Sequence, residues 1–419
     1  MLGPDSRVLT ALLIAVSAGL IVGAIRFRLL PVKILCGMLS IIMAMIGGIA
    51  AVNYYYGYYK SWGQLAADFS GNATGNLGTI AATGPTATGS GRVLSVNLAG
   101  KLSGYDRPAL VYLPPQYYER QYSKVRFPVV ELFHGTPGSP KAWLTALHVT
   151  QVADQLIAKH LIGPMILVMP SINASFRDAQ DCVNSPSIND ETYLTKDVRS
   201  YVLAHYRAST DAFEWGASGY SSGGYCAANL ALRNPKSFGA AAVINGYFLA
   251  TDGPAASALK HSQPLEAQNS PLYLAEKLKA NSSPVPAFWV AAGTNDKQDY
   301  RPAGLFADAL DRIQQVPFIT LHNVADTANG WDTALPGALT WLWQQLAPPD
   351  LRVLFPVRTT NIHDLDTTLN VPPQKRGPVA CKPSAPATAA RVPCVTPTPT
   401  QVTETQVQTA SGSFKKAAP

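Results

Sequence analysis

The sequence predicts an α/β domain with a mainly parallel, doubly wound sheet, preceded by two transmembrane helices. Three observations carry this prediction. Residues 92–347 alternate short apolar runs with helical stretches. Most of these runs lack polar alternation, which is typical of central strands that are covered on both faces. Two long uncharged segments stand before this block, near the start of the chain.

The first 60 residues predict a two-helix membrane anchor. Val8–Ile25 and Ile34–Val52 contain 18 and 19 residues without a charge, and about 20 apolar residues in a helix cross a bilayer core. A cleaved signal peptide has a shorter apolar region followed by small residues, whereas Arg26 and Arg28 follow the first segment here. A buried core helix is the alternative for the second segment.

Charges around the two segments predict their orientation. Arg26, Arg28 and Lys33 lie between them, and positively charged loops stay in the cytoplasm. Both ends of the pair, and everything after residue 60, are therefore expected outside the cytoplasm, on a protein that crosses the cell membrane twice. Tyrosines at positions 54–56, 58 and 59 follow the second segment, as an aromatic belt at the outer interface would.

The rest of the chain divides into three predicted parts. Residues 61–91 form a flexible linker, because Ser70–Arg92 is rich in Gly, Ala, Thr and Ser. Residues 92–347 form the α/β domain. Residues 348–419 form a largely disordered tail, because Pro, Thr, Ala and Gln dominate beyond about Val371.

Composition excludes several other classes of protein. Hydrophobic residues make up 47% of the chain and charged residues 14%, so a wholly disordered chain is excluded and a cytosolic globule, with about 25% charge, is disfavoured. The net charge of +7 is mild, and no block of Lys and Arg indicates nucleic-acid binding. The seven histidines lack metal-ligand spacing. We therefore expect no metal and no nucleic-acid partner.

Cysteine usage fits an extracytoplasmic domain. Cys182 and Cys226 are one candidate disulfide pair, and Cys381 and Cys394 are another. An oxidising compartment permits such bonds, but the sequence alone does not decide which cysteines pair.

Seven strands and two helices are predicted within the α/β block. The strands are Ala109–Leu113, Val129–Phe133, Met165–Met169, Phe213–Ala217, Ala241–Asn245, Ala287–Ala291 and Phe318–His322, and the helices are Ser222–Arg233 and Trp331–Leu346.

The sharpest motif is Gly219-Tyr220-Ser221-Ser222-Gly223, between a predicted strand and a predicted helix. In this setting a G-x-S-x-G pattern predicts a nucleophile elbow, a strained turn that exposes a serine. A structural Gly/Ser turn is the alternative. Ser221 is the predicted nucleophile, and the helix start behind it favours developing negative charge.

A second motif, Phe133-His134-Gly135-Thr136-Pro137-Gly138, follows the strand that ends at Phe133. A loop at this place supplies one backbone N–H to an oxyanion, and the residue after the nucleophile supplies the other. Thr136 and Ser222 are the predicted donors, since Pro137 has no N–H. His134 is expected to stabilise the loop, because it precedes the serine whereas the acid and base follow it.

The predicted acid is Asp296, in Gly293-Thr294-Asn295-Asp296 after the run Ala287–Ala291. An acid there orients an imidazole and stabilises its cation. A solvated turn aspartate is the alternative, because Gly, Asn and Asp are ordinary turn residues.

Together these motifs give the block a resemblance to a known family. It resembles the esterase-D-like α/β-hydrolases, which include the actinobacterial mycolyltransferases, over about residues 92–347. Further matching segments are Asp181-Cys182-Val183-Asn184, Glu191–Val198, Gly224-Tyr225-Cys226 and Trp331 with Leu335-Pro336. The resemblance implies an α/β-hydrolase fold, and ester hydrolysis or acyl transfer through an acyl-serine without metal or organic cofactor.

One position departs from the family pattern. The resemblance places the catalytic histidine about five residues before the tryptophan that opens the last helix. Counting back from Trp331 gives Asp326, and the histidines after Asp296 are His322 and His363. His322 is the predicted base, with a packed strand residue as the alternative, and His363 would have to fold back. Asp326 itself needs a raised pKa to act as a base.

The sequence thus predicts a membrane-anchored extracytoplasmic serine esterase or acyltransferase. Its expected substrate is an envelope lipid or an acylated glycan, because the anchor holds the site near the membrane surface, and an aminoacyl ester on a lipid headgroup also fits. The alternative is an envelope binding or scaffold protein with weakened or lost catalysis, because a serine without a base is a poor nucleophile. The sequence names no protein partner.

Overall fold

The computed structural model describes residues 3–56, 62, 90–173, 181–251, 253–279, 281–282 and 284–358. Most of the predicted linker lies outside these residues, and so does the chain after Arg358. The expectations for His363 and for a Cys381–Cys394 pair therefore fall on residues that the structure does not describe, as does most of the predicted tail.

Two apolar helices come first in the chain. α1 spans Arg7–Arg26 and α2 spans Leu30–Tyr56, and both are long and apolar enough to cross a membrane. Ser17 and Ser40 lie where the helices meet, and each hydroxyl donates to the other residue's carbonyl oxygen at 3.0 Å. These bonds satisfy two buried hydroxyl groups, each of which would cost about 1–3 kcal/mol if left unpaired. Most apolar side chains elsewhere on the two helices are exposed.

One sheet forms the centre of the domain that follows. Its strands are β1 (Arg92–Ala99), β2 (Asp106–Leu113), β3 (Val129–Phe133), β4 (Ile166–Pro170), β7 (Trp215–Tyr220), β8 (Ala240–Ile244), β9 (Ala287–Gly293) and β10 (Phe318–Leu321), while β5 (Asn184–Ser185) and β6 (Ile188–Asn189) form a separate hairpin. Among the described residues the sheet has the order β1-β2-β4-β3-β7-β8-β9-β10. β2 pairs antiparallel with β1 and β4, and the remaining neighbours are parallel.

Helices cover both faces of this sheet. They are α3 (Ala142–Thr145), α4 (Val149–Ala158), α5 (Val198–His205), α6 (Ser222–Arg233), α7 (Gly253–Ala258), α8 (Gln263–Gln268), α9 (Pro271–Lys277), α10 (Tyr300–Asp311), α11 (Ala328–Leu346) and α12 (Pro349–Leu354). Along β3, Val129 and Phe133 join the buried cluster that holds α6, whereas Val130 and Leu132 join the cluster that holds α11. Burial on both faces explains the unbroken apolar runs and confirms the predicted mainly parallel, doubly wound fold.

β2 begins three residues earlier than predicted and β9 ends two residues later, and two further strands differ for reasons that the sequence explains. The strand before the serine begins at Trp215, whereas Phe213 is exposed in a short 3-10 turn. Small side chains between Gly216 and Gly219 weaken the apolar signal there, so the pattern places this strand too early. β1 is absent from the predicted strands because its side chains are mostly half-exposed and form no apolar run.

The described domain continues to Arg358, past the predicted boundary at residue 347. α12 buries Leu351, and the Phe355 ring packs on Tyr122 with the ring centroids 4.8 Å apart. The Arg358 N–H donates to the carbonyl oxygen of His160 at 2.7 Å. The prolines at the start of α12 resemble the Pro-rich composition predicted for the tail, but the apolar residues that follow them pack against the core.

Candidate active site

Ser221 occupies a sharp turn between β7 and α6. Its backbone has φ 55° and ψ −129°, a region that costs a residue with a side chain roughly 1–3 kcal/mol. The Ser221 N–H donates to the carbonyl oxygen of Ile244 in β8 at 3.1 Å, and the Ser221 carbonyl oxygen accepts from Gly224 at 2.9 Å. Ser221 stays partly accessible while Tyr220 and Ser222 on either side are buried.

Glycines make this turn possible, as the motif suggested. A Cβ on Gly219 would lie 2.1 Å from the carbonyl oxygen of Gly223, and a Cβ on Gly223 would lie 2.0 Å from that of Phe133. Both neighbours are backbone atoms that cannot rotate away. The structure thus has the geometry of a nucleophile elbow.

The loop after β3 passes directly beside the serine. A Cβ on Gly135 would lie 3.2 Å from the Cβ of Ser221, so the next residue, Thr136, is close to the nucleophile. Among the described residues, the backbone N–H groups of Thr136 and Ser222 make no hydrogen bond. Ser222 opens α6, where first-turn N–H groups lack an intrahelical acceptor. Both residues therefore lie near Ser221, and their role as oxyanion donors stays a prediction.

A buried carboxyl group, Asp181, links these two donor residues. It accepts hydrogen bonds from the Tyr247 hydroxyl and, at 3.3 Å, from the Thr136 hydroxyl, and the Ser222 hydroxyl also faces it. Burial raises the pKa of Asp181 to about 6, and the hydrogen bonds oppose that rise. This role was not predicted, although the segment that begins at Asp181 carries part of the family resemblance.

A disulfide fastens the Asp181 loop to α6. Cys182 is bonded to Cys226, with their Cα atoms 5.5 Å apart, which confirms one of the two candidate pairs. Asp181 and Cys182 both have positive φ, 44° and 63°. The rings of Tyr225 and Tyr247 stack 4.4 Å apart beside the bond. The loop, the helix behind the serine and the Asp181 partner Tyr247 are thus held together.

His134 stabilises the loop in the way that the sequence suggested. Its Nε2 accepts from the Ile172 N–H at 3.3 Å, so its Nδ1 is the donor to the Gly135 carbonyl oxygen at 2.8 Å. Burial lowers the pKa of His134 to about 4, so the ring stays neutral at physiological pH.

Asp326 is an acidic group beside Ser221, the predicted nucleophile. The Trp331 indole N–H donates to its Oδ1 at 2.6 Å, and the Ser221 hydroxyl is near enough to the carboxyl group to favour its ionised form. Burial raises the pKa of Asp326 to about 7, the negative charge of Asp296 adds to the rise, and the nearby Ser221 hydroxyl and Trp331 N–H oppose it. The position that the family gives to histidine therefore holds a carboxyl group against Ser221.

Asp296 follows β9 and lies close enough to act on Asp326. Its Oδ1 accepts from the Asp299 N–H at 3.2 Å, and partial burial raises its pKa. The neighbouring backbone ties the two loops together, since the Asn295 N–H donates to the Val324 carbonyl oxygen at 2.9 Å. Asp296 thus stands where the sequence expects it, but its neighbour is a carboxyl group and not an imidazole.

His322, the predicted base, is exposed at the end of the edge strand β10. Within the described residues its side chain makes no hydrogen bond, to Ser221, Asp296 or any other group. The chain turns at Asn323, which has φ 58° and donates its N–H to the Thr294 hydroxyl at 2.9 Å. This turn carries Asp326 back toward the serine and leaves His322 on the surface. The described residues contain no group of three or more metal-ligating side chains that could hold a metal ion.

A strained serine between a central parallel strand and the helix behind it defines the chain as an α/β-hydrolase. Residues 101–330, more than half of the chain, match the sequence profile of the family described as "Putative esterase". The chain belongs to this esterase family, in agreement with the resemblance that the sequence shows.

Known proteins agree with this fold. An uncharacterised protein of Corynebacterium glutamicum is 30% identical over 247 residues, which cover 54% of this chain and 55% of that protein, so the match spans about half of the relative's length. A ferulic acid esterase superposes with a TM-score of 0.55 at 21% identity, over 62% of this chain and 99% of its own. An S-formylglutathione hydrolase of Agrobacterium tumefaciens gives 0.52 at 17% identity, over 63% and 98%. At such identities the two structures show the fold alone.

Proposed function

We propose that the chain is a membrane-anchored serine esterase or acyltransferase that acts outside the cytoplasm on a carboxylic ester. The observation that carries this proposal is Ser221, held at positive φ between β7 and α6. Beside it lie the N–H groups of Thr136 and Ser222, which make no hydrogen bond within the described part of the chain. Strain of this kind persists where the surrounding structure imposes it, and it clusters at active sites.

The arrangement suits acyl transfer through a covalent intermediate. Ser221 Oγ attacks the ester carbonyl carbon, and the N–H groups of Thr136 and Ser222 stabilise the oxyanion that forms. Collapse of this intermediate releases the alcohol and leaves an acyl-serine. Water then gives hydrolysis, whereas a second alcohol gives transfer of the acyl group.

The two N-terminal helices support an anchored enzyme. α1 and α2 meet through reciprocal serine hydrogen bonds, and Arg26, Arg28 and Lys33 lie at their connection. Positive charge there favours a cytoplasmic loop and an extracytoplasmic domain. An anchor restricts the enzyme to esters near the outer membrane surface, so we propose an envelope lipid or an acylated glycan as the substrate class.

Hydrolysis of p-nitrophenyl butyrate by the detergent-solubilised full chain tests the activity. We expect turnover by the unchanged chain, loss of at least about 100-fold in Ser221→Ala, and unchanged turnover in Ser200→Ala. Ser200 is an exposed serine of α5 whose hydroxyl donates to the Lys196 carbonyl oxygen, so it is a matched control. Absence of turnover with several esters in the folded chain would favour the binding or scaffold alternative.

Labelling of intact cells with a membrane-impermeant amine reagent tests the orientation. Lys101 and Lys196 are exposed on the domain and should react before permeabilisation. Lys33, at the connection between the helices, should react only afterwards. The reverse pattern would place the domain in the cytoplasm.

A further inference from the structure

We propose that Asp326 is the general base of this site: it accepts the Ser221 proton during attack and returns it to the leaving alcohol. This inference rests on the proposed function and adds a catalytic residue to it. It also reassigns the part that the sequence gave to His322.

A hydrogen bond and a ring stack connect the Asp326 carboxyl group to the turn that holds Ser221. The Trp331 indole N–H fixes one carboxyl oxygen at 2.6 Å. The Trp331 ring stacks on Tyr220, with the ring centroids 4.2 Å apart and an interplanar angle of 27°. Tyr220 directly precedes Ser221 in the chain. The stacked pair of Trp331 and Tyr220 therefore links the side chain that holds the Asp326 carboxyl group to the backbone that holds Ser221.

Three elements present polar groups to Asp326. The turn before α6 presents the Ser221 hydroxyl, α11 presents the Trp331 N–H, and the loop after β9 presents the Asp296 carboxyl group. An exposed carboxylate is a weak base toward a hydroxyl, since its pKa lies near 3.9. Burial and the like charge of Asp296 move the pKa of Asp326 to about 7, where general bases work well at neutral pH. Asp296 therefore tunes a carboxylate here, whereas the family pattern has it orient an imidazole.

Ser221 and Asp326 account for every proton that the reaction moves. As the bond from Ser221 Oγ to the carbonyl carbon forms, the Oγ–H bond breaks and its proton goes to Asp326. When the bond to the alcohol oxygen breaks, the protonated Asp326 gives that proton to the leaving oxygen. In the second half, Asp326 takes a proton from water as water attacks the acyl-serine, and it then returns the proton to Ser221 Oγ.

The test is the rate of fluorophosphonate labelling of Ser221 in the solubilised full chain between pH 5 and 9. In the unchanged chain we expect the rate to rise with pH through about 7, because the ionised carboxylate accepts the proton. Asp326→Asn keeps the shape of the side chain but should label at least about 100-fold more slowly, without that rise. His322→Gln is the matched control and should behave like the unchanged chain. Trp331→Phe should move the midpoint to higher pH, because the ionised form loses a donor.

Several results would overturn the assignment. Asp326→Asn labelling at the unchanged rate shows that another group takes the proton, and a large loss in His322→Gln returns that role to the histidine. If the labelling midpoint of a folded Trp331→Phe variant does not move, Asp326 is not the group whose ionisation sets the labelling rate. In each of these cases Ser221 is still labelled, so the esterase proposal is unaffected. A folded, unchanged chain that does not label at Ser221 contradicts the proposed function itself.

Discussion

The two sides of Ser221 are built in different ways. The oxyanion side (Thr136, Ser222 and Asp181) is mostly buried and is fastened by the Cys182–Cys226 disulfide. The base side consists of two loop residues, Asp326 and Asp296, which are partly accessible, with the Asp326 carboxyl group the more deeply buried of the two. The proposed oxyanion donors are backbone N–H groups, so close packing of the chain determines where they lie. The base side depends on which side chain stands at one loop position, and loops tolerate substitution.

The largest effect is expected from a change in the rigid turn of the oxyanion side. In Gly223→Ala the new Cβ would lie 2.0 Å from the Phe133 carbonyl oxygen, and backbone on both sides prevents relief. We expect a loss of more than about 3 kcal/mol in the free energy of unfolding, or failure to fold. Gly304→Ala is the control, since that position in α10 has no atom within 4 Å, and it should be neutral or stabilising. Equal denaturation midpoints for the two variants would show that the turn is not tightly packed.

Removal of the disulfide should weaken the oxyanion side next. Replacing Cys182 and Cys226 by alanine should lower the free energy of unfolding by about 2–4 kcal/mol and slow the labelling of Ser221. The pH midpoint of labelling should stay the same, because the base side is untouched. Cys36→Ala, which removes the free cysteine of α2, should change neither quantity. A shifted midpoint would mean that the two sides are not separate.

The Asp326 carboxyl group should lower the free energy of unfolding as pH rises. Its pKa in the folded chain is about 7, above the ordinary aspartate value of 3.8, so ionisation is harder in the folded than in the unfolded state. The folded chain therefore loses stability between about pH 4 and pH 7. Asp326→Asn lacks this cost and should be more stable than the unchanged chain at pH 8, on the order of 1–3 kcal/mol, with little difference at pH 4. Denaturant unfolding at the two pH values measures it, and a difference that is independent of pH would contradict it.

The smallest effect is expected from Asp181→Asn. The amide keeps one acceptor oxygen for its hydroxyl partners, so the loop should hold, but the Thr136 and Ser222 N–H groups should be positioned less well. We expect kcat for p-nitrophenyl butyrate to fall about 10-fold with KM little changed. The labelling midpoint near pH 7 should not move, in contrast to Trp331→Phe. If Asp181→Asn moves the labelling midpoint, Asp181 affects the base and not only the oxyanion donors.

Sequence patterns predict the turn at Ser221 because steric rules decide its geometry. The glycines at positions 219 and 223 follow from packing that leaves no room for a side chain, and the central strands follow from unbroken apolar runs. The Cys182–Cys226 pair is among the sequence candidates, but the structure supplies the choice. The role of Asp181 depends on Tyr247, which is distant in sequence, so no local pattern indicates it.

The base side could not be predicted because it depends on a turn. The sequence marks Asp326 as the family position of the histidine, yet it cannot show that the chain reverses at Asn323 and brings Asp326 to Ser221. The sequence therefore predicts His322 as the base, because it is a histidine that follows Asp296, whereas the structure leaves this residue exposed. Neither can a sequence show the raised pKa of Asp326, because burial and the approach of Asp296 cause it.

The most direct test of the account is the rate at which Asp326→His labels with a fluorophosphonate, measured across pH beside Asp326→Asn. If position 326 supplies the base, an imidazole there should keep at least about a tenth of the unchanged rate, with a midpoint near the ordinary histidine pKa of about 6.5. The asparagine variant should remain at least about 100-fold slow. Histidine and asparagine variants that are folded and equally slow would contradict the claim that the residue at position 326 takes the Ser221 proton.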